Sequence, residues 1–154
     1  MQCLLHDNHL EKLMLTDCLL SQDGFQSLLS QLGGIKRLRC LWLDGCQSIG
    51  ISARKTLANT AEQALQQNVT LEFLQFPFGG FDEYMLELDD LLDLNRGGRR
   101  LLQEADVCPS SLWPVVLGRA NTLEFPGRGG RGSDERRANI LYFLLRQHNI
   151  MLER

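Results

Sequence analysis

No run of apolar residues in this chain approaches the roughly 18 that a helix needs to span a bilayer, so a transmembrane helix is excluded. The opening residues, MQCLLHDNHLEKL, have no basic stretch followed by a sustained apolar core, and no secretory signal is expected from them. Charge of one sign is not in excess either. Sixteen Lys and Arg stand against 19 Asp and Glu, a net −3 that gives no whole-protein attraction to nucleic acid or to an anionic membrane. Catalytic signatures are missing too: there is no GxSxG, no HExxH and no GxxxxGK[ST]. The expectation is therefore a non-enzyme with no cofactor, no nucleic acid, no membrane and no small-molecule substrate among its partners.

Cysteine is present but unpatterned. The five residues at 3, 18, 40, 46 and 108 are odd in number and form no CxxC, which favours reduced thiols in a cytoplasmic or nuclear protein over a disulfide framework. Cys3, His6 and His9, with Cys18 nearby, are the residues that most resemble a metal set. No second ligand pair at zinc-like spacing follows, so Cys3 reads as a small apolar residue and the histidines as solvent-facing. Asp89, Asp90 and Asp93 read as the solvated face of a helix or turn, and Arg96, Arg99 and Arg100 as paired or solvated charges.

What the chain does have is repetition. Leu10-Glu-Lys-Leu13-Met-Leu15-Thr-Asp-Cys18 and Leu38-Arg-Cys-Leu41-Trp-Leu43-Asp-Gly-Cys46 share the form LxxLxLxxC, 28 residues apart. Leu71-Glu-Phe-Leu74-Gln-Phe76 keeps the first three apolar positions after a longer, 33-residue interval. Two apolar residues two apart point to one face of a strand, and the leucine three earlier turns into the same core. The spacing predicts parallel strands at 13–15, 41–43 and 74–76, with Leu13, Leu15, Leu41, Leu43, Leu71 and Leu74 buried together and a degenerate fourth strand at 92–94. Between the strands, Phe25, Leu28, Leu29 and Leu32 and then Ala53, Leu57, Ala61, Ala64 and Leu65 recur at helical spacing, with Ser52 placed as an N-cap.

These motifs resemble leucine-rich repeats of the ribonuclease-inhibitor type over residues 1–95. The resemblance implies an α/β solenoid: a short horseshoe segment with parallel strands on the concave side and helices outside. Cys3-Leu-Leu-His-Asp-Asn8 matches the end of a repeat helix, Ala64 to Asn68, so the chain is expected to begin within a repeat of a longer protein. Residues 96–154 are expected to form a helical C-terminal cap with a flexible Gly/Arg loop at 126–133. One cap helix would start at Ser111 and bury Leu112, Val115, Val116 and Leu117. The last would carry Ile140, Leu141, Phe143, Leu144 and Leu145. This part is similar to the C-terminal cap of algal leucine-rich-repeat proteins without assigned function.

Function follows from the strand positions between the leucines. Lys12, Met14 and Thr16; Cys40, Trp42 and Asp44; and Phe73, Gln75 and Pro77 are expected on one open face, with residues 14, 42 and 75 in a row. A tryptophan there is a typical anchor for a protein partner, and a protein–protein interaction scaffold is the main reading. One alternative is a ubiquitin-ligase adaptor, because Ser111-Leu-Trp-Pro-Val-Val-Leu-Gly-Arg-Ala120 loosely resembles the SLxxxCxxxA box that binds elongin C. Val116 stands where that box has cysteine. A second alternative is RNA binding through the Gly/Arg loop, which has only two such arginines, Arg128 and Arg131, and no interleaved aromatic.

Overall fold

The structure, a computed structural model, describes residues 9–44, 50–76, 82–103, 112–123 and 133–147. Three strands, β1 (Lys12–Thr16), β2 (Cys40–Asp44) and β3 (Phe73–Gln75), form one parallel sheet in the order β1-β2-β3. Two helices carry the chain back between them, α1 (Gln22–Gln31), which runs on into a 3-10 turn at Leu32–Gly34, and α2 (Ile51–Gln67). After β3 come α3 (Asp82–Arg96), α4 (Arg99–Gln103), α5 (Trp113–Thr122) and α6 (Ser133–Gln147).

The alternation of the LxL segments sets the sheet's two faces. Leu13, Leu41 and Leu74 share one register row, and Leu15 pairs with Leu43 in the next inward row. Leu41, Leu43, Leu38, Leu71 and Leu74 are all buried, packed with Phe25, Leu28 and Leu29 of α1 and Leu57, Ala61 and Leu65 of α2. Each such leucine contributes about 1.5–3 kcal/mol by leaving water. Leu13 and Leu15 are only half-buried. They lie on β1, which among the described residues is an edge strand with a neighbouring strand on one side only. Ser21 caps α1 by accepting a hydrogen bond from the Gly24 amide at 3.2 Å. At α2 the cap position is Gly50, and Ser52, expected as the cap, lies one residue inside the helix.

The expected leucine-rich-repeat solenoid is corrected by this architecture. The described residues hold one small three-stranded sheet, its last strand three residues long, and six α-helices; no run of repeating units is evident. The degenerate fourth strand at 92–94 lies inside α3. Met85, Leu88 and Leu92 recur at helical spacing and are buried, so the helical period extends through the expected strand.

The chain divides into two compact units between Leu92 and Asp93. The sheet, α1, α2 and most of α3 make the first. In the second, Leu94, Leu102, Val116, Ala120, Ile140 and Leu144 are buried. Gly98, at φ +100°, follows the end of α3 in a conformation that side chains rarely adopt. At Gly97 a Cβ would meet Ile140 at 3.0 Å, so the bare glycine lets α6 come close. The cap helices differ from expectation in detail: Val116 and Ala120 are the buried residues of α5, while Val115 is half exposed. On α6, Ile140 and Leu144 face inward, and Phe143 is exposed.

Candidate binding face of the sheet

The sheet turns its polar and aromatic positions outward as a set. Lys12, Cys40 and Phe73 are register partners; so are Met14, Trp42 and Gln75; and Thr16 pairs with Asp44. Along β1 the alternation is strict: Lys12, Met14 and Thr16 are exposed, and the leucines between them are half-buried. Met14, at the middle of this edge strand, is 63% exposed. Cys40, Trp42, Phe73 and Gln75 are half-buried. Pro77 lies outside the described residues.

Two of these side chains are already organised. The rings of Trp42 and Phe73 lie with centroids 5.1 Å apart, tilted by 39°. Phe73 is the register partner of Cys40, so this is a diagonal pair across β2 and β3, within the reach that aromatic side chains have. Such a pair is worth about 0.5–1.5 kcal/mol beyond area burial, and it holds the indole in one orientation.

The strand entries border the face with charge. Arg39 donates a hydrogen bond to Glu72 at 2.8 Å, and its carbonyl accepts from the Glu72 and Phe73 amides, tying the start of β3 to β2. The Glu72 hydrogen bond, and then its charge, push the Arg39 guanidinium above its ordinary value against a smaller opposing effect of burial. The pair is open to water and contributes about 0–1 kcal/mol. Chemically, the face offers a thioether, an aromatic pair and a polar border. Among the described residues no group of three His, Cys, Asp or Glu could hold a metal ion.

The other sequence candidates fall elsewhere. Asp93, expected on a solvated face, is instead buried in the second unit. Its carboxylate accepts from Arg96 at 2.8 Å and from the Arg136 guanidinium, whose Nε lies at 3.1 Å. Arg99 is buried too, and that burial lowers its pKa, whereas Arg100 is exposed. In the segment likened to an elongin-binding box, Val116 and Ala120 have no exposed surface, so the box positions are part of the second unit's core. The Gly/Arg loop, with Arg128 and Arg131, and the residues Cys3, His6, Cys46 and Cys108 lie outside the described residues.

Sequence reasoning missed Asn68. It is buried; its amide donates to the carbonyls of Leu32 and Ile35 at 2.7 and 2.8 Å, and its Oδ1 accepts from the Thr70 and Leu71 amides. An Asn two residues ahead of a Thr-Leu strand entry was the available signal, since Asx turns close in this way.

No family model matches the chain, and neither a curated protein nor a solved structure does.

Proposed function

We propose that this chain is a non-catalytic protein-binding module whose contact surface is the open face of the sheet, centred on Trp42. The observation that carries the reading is the exposure of Met14 in the same register row as Trp42, beside an aromatic pair already held in place. An apolar centre with an adaptable thioether and a polar border has the anatomy of a protein interface, where Trp is an enriched anchor and Met fits itself to varied partners. Lys12, Thr16, Cys40, Phe73 and Gln75 complete the surface, with Asp44 at its register position opposite Thr16. A reducing compartment, cytoplasm or nucleus, belongs to the same reading. The odd, unpatterned set of five cysteines supports it, and no helix among the described residues is long and apolar enough to cross a membrane.

Trp42→Ala tests the proposal. Removing the indole leaves Phe73 without its ring partner, so a loss of about 1 kcal/mol of stability is expected together with loss of a co-purifying protein. Arg128→Ala with Arg131→Ala should change neither. Retention of the same partner by a folded Trp42→Ala chain would place the contact elsewhere.

A further inference from the structure

Helix α6 has a second face, opposite the one that builds the core of its unit. Ile140 and Leu144 are buried. At 100° per residue, Glu135, Ala138, Tyr142, Leu145 and Arg146 fall on the other side. The accessibility agrees: Tyr142 is 57% exposed, Glu135, Ala138 and Arg146 are exposed, and Leu145 is half-buried. The spacing of 135, 138, 142 and 145 is the three-then-four spacing of a helix-pairing seam. Tyr142 also lies edge-on to Phe143, with ring centroids 5.6 Å apart, so its ring is directed rather than free.

This stripe is complementary to itself in two respects. Glu135 sits at its N-terminal end and Arg146 about three turns later, and neither has an ion-pair partner among the described residues, whereas the neighbouring Asp134 is bonded to Arg137. One end is therefore acidic and the other basic. The second respect is size. A large side chain, Tyr142, stands one turn from a small one, Ala138.

We propose that α6 pairs with the α6 of a second copy of this chain, antiparallel and about a two-fold axis. With the axis between Ala138 and Tyr142, each tyrosine packs over Ala138 of the other copy. Each Glu135 comes beside Leu145 and Arg146 of the other copy, twice per dimer as two-fold symmetry requires. The antiparallel arrangement also sets the positive N-terminus of each helix dipole against the negative C-terminus of its mate. A parallel pairing would bring Glu135 to Glu135 and Arg146 to Arg146. The contact is about 20 Å long by helix rise, which is small for an interface, so the dimer is weak, reversible and sensitive to salt.

Sedimentation velocity of the full chain over a wide concentration series, at low and high salt, is the test. The wild type is expected to shift from monomer to dimer with concentration, less so at high salt. Tyr142→Glu is expected to weaken association by roughly tenfold or more, as loss of a central anchor does. Glu135→Arg should weaken it, and Glu135→Arg with Arg146→Glu should restore it, because the swap rebuilds each pair in the opposite sense. These side chains are exposed, so circular dichroism and thermal melting of every variant should match the wild type. A wild type that stays monomeric throughout would overturn the proposal, even if another protein bound at Tyr142. So would a dimer unaffected by Tyr142→Glu, or a folded charge-swap variant that stays dissociated.

Discussion

Asn68 joins three pieces of backbone with one amide group. Its two donor bonds close off the carbonyls at the end of the first strand–helix passage, and its oxygen receives two amides at the entry to β3. Thr70 adds hydroxyl contacts to Ile35 and Leu38 carbonyls in the same place. In a dry site each abandoned donor or acceptor is penalised more than a hydrogen bond is worth in water. Asn68→Ala is therefore expected to destabilise the chain by about 2–4 kcal/mol, read as a lower midpoint in urea unfolding. Asn68→Asp keeps the acceptor but sets a negative oxygen against two carbonyls, so it should fare no better. An effect below about 0.5 kcal/mol, the range of ordinary surface changes, would show that water replaces the amide. The sequence offered Asn68 as a turn-forming residue type, a signal that was missed, and it carried no sign of the side chain's reach. The carbonyls it binds lie 33 and 36 residues away.

At the scale of elements, the sheet makes its central strand worth more than its edge. Leu43 on β2 and Leu15 on β1 are register partners with the same chemistry, yet Leu43 has no exposed surface and Leu15 is half-buried. Leu43→Ala should destabilise by about 2–5 kcal/mol, whereas Leu15→Ala should lose roughly half as much because water already reaches the site. Thermal unfolding of both variants under one buffer decides it, and equal losses would mean that the edge of β1 is closed. The strands and the inward leucines were legible because period-two alternation is a local property of the chain. The extent of α3 was not. Leu92 and Leu94 satisfy a strand pattern and Leu88 and Leu92 a helix pattern, and a window of a few residues does not distinguish them.

For the molecule as a whole, the thiols provide the test of the proposed reducing compartment. Cys18 packs at the margin of the core, donating weakly to the Thr16 carbonyl at 3.4 Å, and Cys40 lies in the outward row of β2. Alkylation under denaturing, non-reducing conditions is expected to add five labels per chain. A smaller number that rises with reductant would refute the reading of a reducing compartment.

The sequence by itself determined the three strands of the sheet, though not that 92–94 is helical, which leucines and alanines turn inward on them and on α1 and α2, and which positions alternate with them around Trp42. These follow from the 2.0 and 3.6 residue periods, which any segment carries without its neighbours. The tertiary structure alone decided three things: that the chain makes one three-stranded sheet and a helical second unit rather than a solenoid, that Asp93 is buried between Arg96 and Arg136, and that Ala120, not Val115, joins Val116 on the buried side of α5. Each depends on which residues from far along the chain arrive at the same place. Asp93 and Arg136 lie 43 residues apart, and a carboxylate spaced for a solvated helix face becomes a buried one only when a guanidinium comes to meet it.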